Sequence, residues 1–108
     1  MSISQHLLSD LIEEAKADEV GLWFIIGRVR DLFGIEDPVV LQATTLQYVT
    51  ELLASGAVLA GYYKPDGSGV EPWDMEPMKI SSLIKQAWDE LGREPNIGDI
   101  VVFVGSNS

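Results

Sequence analysis

The residues able to do chemistry in this chain are mostly carboxylates, and their spacing matches no catalytic motif. The one histidine, His6, has no serine or cysteine signature nearby, so we expect a surface or core-edge histidine and not a hydrolytic triad. Gly67-Ser68-Gly69 is rich in glycine, but no helix is predicted directly after it, so it does not match a phosphate-binding loop. The absence of cysteine excludes disulfides and Cys-ligated metals. The sequence predicts a non-catalytic protein without a cofactor.

Acidic side chains cluster around one predicted turn. Asp66, Glu71, Asp74 and Glu76 follow one another across a predicted hairpin and the segment after it. Asp66-x-Ser68 with Glu71 lacks the ligand spacing of a calcium loop, so no dedicated metal site is predicted. Paired carboxylates can hydrolyse glycosides, but a chain of 108 residues leaves little room for a deep cleft.

Aromatic residues are interleaved with these carboxylates. Tyr62 and Tyr63 alternate along a predicted strand, which should expose one of them. Trp73 precedes Asp74, and such a ring either packs beneath the hairpin or binds a cationic partner through apolar burial and cation–π contact. We predict that the partner-binding residues are Tyr62, Asp66, Glu71, Trp73, Asp74 and Glu76.

The charge of the whole chain points to the same kind of partner. Seventeen acidic residues against seven Lys and Arg give a formal net charge of −10. Such a surface repels nucleic acids and anionic membranes and attracts basic proteins. The same charge would also keep a small protein soluble with no basic partner at all. We expect a basic protein partner, no nucleic acid and no membrane.

Length and composition predict one domain, residues 1–108, with 46% hydrophobic residues to form its core. The start, Met1-Ser2-Ile3-Ser4, lacks a secretory signal, and the apolar run Leu22–Ile26 is too short to span a bilayer. These features favour a cytoplasmic protein, and the size favours a bacterial one. We expect residues 104–108 to form a frayed tail.

Apolar periodicity predicts four helices, at residues 4–17, 18–33, 37–55 and 77–91. Asp18 is the expected cap of the second, with a short strand at 22–26 as the competing prediction. Trp23 and Phe24 make this helix apolar almost all round, which is typical of a buried helix or a subunit contact. Two expectations stay open for this helix: burial inside the domain, or a homodimer through the Trp23–Phe33 helix.

The third helix should bury one stripe and expose the opposite side. The predicted buried residues are Val39, Ala43, Leu46, Val49, Leu52 and Leu53, and the polar side carries Gln42, Thr45, Gln47, Thr50 and Glu51. Strands are predicted at 58–63, at 70–73 and at 100–104, with the last pairing with the first. The predicted fold is α+β and mainly helical, with about four helices and a small antiparallel sheet or wing hairpin.

The order of elements from Asp37 to Trp73 is helix, strand, glycine-rich turn and strand, and it resembles winged-helix domains. DNA-reading members usually place Lys, Arg or Asn on the presented helix and a cation on the wing. Here no Lys or Arg lies between Asp31 and Tyr63, and only Lys64 supplies a positive wing residue. The segment Ala87–Asp99 is also similar to a block of small uncharacterised bacterial proteins, which implies no particular activity.

These features support three hypotheses of different classes. The first is an acidic protein-binding module, in its sharpest form an immunity or antitoxin-like inhibitor of a basic toxin. The second is a winged-helix transcription regulator that contacts DNA through helix dipoles and polar side chains. The third is a small-molecule-binding protein or enzyme with a pocket beside Trp73 and the acidic hairpin.

Overall fold

A computed structural model describes residues 3–106 and contains four α-helices and four β-strands in that range. The helices are α1 (Gln5–Ala17), α2 (Leu22–Phe33), α3 (Pro38–Ala54) and α4 (Pro77–Leu91). The strands are β1 (Val20–Gly21), β2 (Val58–Tyr63), β3 (Val70–Pro72) and β4 (Val102–Gly105). The predicted α+β, mainly helical class is confirmed.

Most helix ends are determined by local capping chemistry. Ser4 and Asp37 each accept a backbone N–H of the first turn, and so begin α1 and α3. Gly34 and Gly92 adopt the left-handed conformation that ends α2 and α4. The predicted cap of the second helix is wrong, because Asp18 ends α1 and two residues of strand intervene before α2 begins.

The sheet is antiparallel with the order β1-β4-β2-β3. The predicted pairing of the last strand with β2 is confirmed, with Ala60 opposite Phe103. The predicted hairpin is confirmed as well, with Tyr62 opposite Glu71. The competing strand at 22–26 is wrong because these residues lie in α2. The element order from α3 to β3 matches the expected one, and the winged-helix resemblance itself stays a prediction.

The predicted buried stripe of α3 is right in part. Val49 and Leu52 are buried and Leu46 and Leu53 pack partly buried against the core, but Val39 and Ala43 are exposed. The structure buries Thr45 completely and leaves Val39 75% exposed. Helix α3 contacts α1, α2, α4 and β2, so more than one of its sides is covered and a one-sided pattern fails. The buried residues of α3 are Leu41, Thr44, Thr45, Tyr48, Val49 and Leu52.

The expected tail at 104–108 is wrong as far as the structure describes it. Val104 and Gly105 belong to β4 and lie opposite Leu59 and Val58. The Ser106 N–H continues the pairing by donating to the Ala57 carbonyl at 2.9 Å. Residues 107 and 108 lie outside the described residues. Within 3–106, no helix has the length and apolar character needed to cross a membrane.

Candidate partner-binding surface

The β2–β3 hairpin brings together most of the residues predicted to bind a partner. Tyr62, Glu71, Trp73 and Asp74 line one open cavity of about 350 Å³, to which Tyr63 also contributes. The lining residues Tyr62, Tyr63, Glu71, Trp73 and Asp74 are called the hairpin surface below. Asp66 lies outside this cavity in the hairpin turn, and Glu76 lies at the start of α4.

Both tyrosines of β2 are partly exposed, so the prediction that only one would be exposed is wrong. Tyr62 is 42% exposed and Tyr63 43% exposed, because this end of the hairpin extends beyond the buried part of the strand. Their rings meet edge to face with centroids 5.5 Å apart. The hydroxyls donate to different segments: Tyr62 to the Gly98 carbonyl and Tyr63 to Glu19 Oε1, each at 2.6 Å. These bonds hold the two rings in position.

Trp73 packs beneath the hairpin, as one of the two sequence-based interpretations expected, and its binding of a cationic partner stays a prediction. The backbone N–H of Trp73 donates to the Ala60 carbonyl at 2.8 Å, which extends the hairpin pairing beyond β3. The side chain is half-buried and packs against the core, as expected of a residue beneath the hairpin. It also lines the open cavity. Trp73 therefore connects the hairpin surface to the core.

The carboxylates of the hairpin surface have no ion-pair partner within residues 3–106. The five ion pairs in that range involve Asp10 twice and Glu94, Asp89 and Asp99 once each, all in other parts of the fold. Glu71 and Asp74 are exposed. Their charge is therefore not neutralised by a side chain of the described residues.

Tyr63 is the residue of the hairpin surface whose acidity departs most from its ordinary value. Its hydrogen bond to Glu19 is the main cause, followed by burial of the phenol and by the negative charge of Glu19. Together they raise the pKa of Tyr63 to about 12. Tyr63 is thus a neutral hydrogen-bond donor at physiological pH.

Helix α2, the predicted dimer contact, is largely used within the monomer. Ile25, Ile26 and Val29 are fully buried. Trp23 is 41% exposed and Leu32 51% exposed, but at 3.6 residues per turn they lie on opposite sides of the helix. The exposed apolar residues therefore do not form one continuous stripe, and a homodimer through this helix stays a prediction.

A larger cavity, of about 760 Å³, lies between α3 and α4, and sequence reasoning missed it. We call it the α3–α4 groove. Its lining comes from residues 30–42 and 88–94, which are far apart in the chain. No motif marks these segments, so only their packing reveals the cavity. Trp88 is 8% exposed and lies at the floor of this groove.

Residues 3–106 contain no group of three His, Asp or Glu side chains placed to hold a metal ion. Comparison of the chain with protein-family models, with curated proteins and with solved structures gave no match. The hairpin surface and the α3–α4 groove are the two candidate sites of this fold.

Proposed function

We propose that this protein is an acidic, non-catalytic module that binds a basic protein partner through its hairpin surface. An immunity or antitoxin-like inhibitor of a basic toxin is the specific form that we favour. One observation carries the proposal: two partly exposed tyrosine rings, held by hydrogen bonds, lie beside carboxylates that have no ion-pair partner among the described residues.

Rings and carboxylates suit the same kind of ligand. A Lys or Arg over an exposed aromatic ring contributes about 0.5–1 kcal/mol, and about 2 kcal/mol when the contact is desolvated. Tyrosine and tryptophan are enriched among the residues that dominate interface energies. Glu71 and Asp74 add charge complementarity, and the net charge of −10 adds long-range steering of a cationic protein.

The transcription-regulator hypothesis has weaker physical support. The likeness to winged-helix domains rests on the order of α3, β2, the turn and β3. Helix α3 has no Lys or Arg, and Glu51 adds a negative charge on its exposed side. Binding to the DNA backbone depends largely on neutralising phosphates with cations, so α3 is a poor DNA-reading helix. The small-molecule hypothesis placed its pocket beside Trp73, where the cavity has a volume of about 350 Å³, and the larger α3–α4 groove is a different site.

Affinity capture from an extract of the source cell, at low salt, tests the proposal. Three baits are compared: the wild-type protein, the hairpin variant Glu71→Lys/Asp74→Lys, and the control Glu13→Lys/Glu14→Lys. All four substituted side chains are exposed, and both variants change the net charge equally. Circular dichroism checks that each bait is folded.

We expect a basic protein that the wild-type and control baits retain and the hairpin variant loses. A basic, nuclease-like product of the neighbouring upstream gene would be the first partner to test. Equal retention by all three baits would contradict the assigned surface. The absence of any basic partner would contradict the proposed function.

A further inference from the structure

The α3–α4 groove has the size and lining of a small-molecule site. Its volume of about 760 Å³ falls within the usual range for ligand pockets, about 300–1,000 Å³. Ile35, Leu41 and Trp88 form an apolar floor and are each no more than 8% exposed. Val39 stands at the side of the groove and is 75% exposed, so the apolar surface remains open to a ligand.

Polar contacts tie the walls of the groove together. Arg30, near the end of α2, forms an ion pair with Glu94, which follows α4. Gln42 of α3 donates from Nε2 to Asp89 Oδ1 of α4 at 2.9 Å. These contacts join all three helices around the apolar floor. The groove is therefore formed in advance, which lowers the ordering cost of binding.

The side-chain charge around the groove is negative in excess. The lining includes the carboxylates Glu36, Asp89 and Glu94 and the guanidinium groups of Arg30 and Arg93. Both arginines are occupied, since Arg30 pairs with Glu94 and Arg93 pairs with Asp99 at 2.9 Å. Asp89 is paired as well, with Lys85 at 2.8 Å. Glu36 has no ion-pair partner within residues 3–106. A cation is the charged group that this arrangement leaves unsupplied.

The ends of the helices add to the same preference. Helix α4 ends at Gly92 beside the groove and has no basic residue in its last turn, so no cation within the helix offsets the negative end of its dipole. The N-terminal end of α3, which carries the positive end of the helix dipole, also lies beside the groove. The Asp37 side chain already caps it by accepting the Val39 N–H. The helix ends at the groove therefore do not favour binding of an anion.

We propose that the α3–α4 groove binds a small organic cation. An aromatic or aliphatic body covers Ile35, Leu41 and Trp88, and one ammonium group lies beside the unpaired carboxylate of Glu36. This site is separate from the hairpin surface, because the two cavities share no lining residue. Occupancy of the groove does not depend on a protein partner.

Titration of the isotopically labelled protein with a matched set of probes tests this proposal by NMR. The probes are 2-phenylethylammonium, the anion phenylacetate and the neutral 2-phenylethanol. We expect saturable shifts of the Trp88 indole N–H and the Gly92 amide with the ammonium probe, at a Kd of roughly 1 mM for so small a ligand. The neutral probe should bind more weakly than the cation, and the anion should bind weakest of the three.

Two charge-neutralising variants distinguish the effect of a charge at the groove from the effect of the net charge of the protein. Glu36→Gln removes the unpaired carboxylate at the groove and should raise the Kd of 2-phenylethylammonium about threefold, as expected of an exposed charge. Glu13→Gln removes one exposed charge from α1 and should leave the Kd unchanged. The proposal is overturned if Trp88 shows no saturable shift, if phenylacetate binds equally well, or if the two variants behave alike.

Discussion

The Tyr63 hydroxyl donates a hydrogen bond to Oε1 of Glu19, 44 residues earlier in the chain, at 2.6 Å. This bond ties the hairpin surface to the segment before β1. Ionisation of the phenol would break the bond and place two negative charges side by side. The structure therefore stabilises the neutral form of Tyr63 and raises its pKa to about 12.

The first prediction concerns this pKa. The difference in tyrosinate absorbance between the wild-type protein and Tyr63→Phe should titrate near pH 12. When both proteins also carry Glu19→Gln, the midpoint of this titration should move toward the ordinary tyrosine pKa of about 10. Because the folded pKa lies above the unfolded one, the stabilisation is complete below pH 10 and is lost as pH rises through 12. A Tyr63 that titrates near 10 in the wild-type protein would contradict the Glu19 contact.

The second prediction compares two threonines of α3. Thr45 is fully buried and its Oγ1 has no hydrogen-bond partner within residues 3–106, so Thr45→Val should raise the free energy of unfolding by about 1 kcal/mol. Thr50 Oγ1 contacts the Leu46 carbonyl at 2.9 Å and the Ser81 hydroxyl at 2.7 Å. Thr50→Val should therefore lower the free energy of unfolding by about 1 kcal/mol. Urea denaturation measures the free energy of unfolding of both variants. Changes of the same sign in the two variants would contradict the different hydrogen bonding of Thr45 and Thr50.

The third prediction compares two glycines. A side chain on Gly61 would overlap the Glu71 carbonyl oxygen, so Gly61→Ala must push β3 away from β2 and should destabilise the fold by about 1–3 kcal/mol. A side chain on Gly27, inside α2, meets no atom within 4 Å. Gly27→Ala should stabilise the protein by up to about 1 kcal/mol through helix propensity. Thermal unfolding distinguishes the two, and a neutral Gly61→Ala would contradict the close approach of the hairpin strands.

The fourth prediction concerns DNA. Because α3 has no Lys or Arg and the chain carries a charge of −10, duplex fragments of the source genome should not be retarded in a gel shift at low salt. A retarded complex whose affinity falls steeply with added salt would favour the transcription-regulator hypothesis over the protein-binding one.

The elements that the sequence predicted well are those determined by local chemistry. The predicted helix bounds at residues 4, 33, 37 and 91 agree closely with the structure, because Ser4 and Asp37 begin helices and Gly34 and Gly92 end them through contacts or conformations within one turn. The hairpin itself was predicted because a glycine-rich turn separates two strand-like segments, whereas its register, with Tyr62 opposite Glu71, comes from the structure.

The features that were missed depend on contacts between distant segments. Two residues, Val20 and Gly21, cannot show the alternation of a strand, and β1 exists only because β4 pairs with it. Thr45 is buried because α3 has neighbours on several sides, which one amphipathic stripe does not reveal. The α3–α4 groove likewise forms only when the end of α4 packs beside the start of α3.

The most direct test of the central claim is the dissociation constant of the captured basic partner, measured by calorimetry at several salt concentrations. We predict that the Kd rises with salt and that Glu71→Lys/Asp74→Lys raises it about tenfold or more at low salt. The control Glu13→Lys/Glu14→Lys, with the same change in net charge, should leave most of the affinity intact. Equal losses of affinity for the partner in the two variants, or a Kd that does not change with salt, would contradict binding at the hairpin surface.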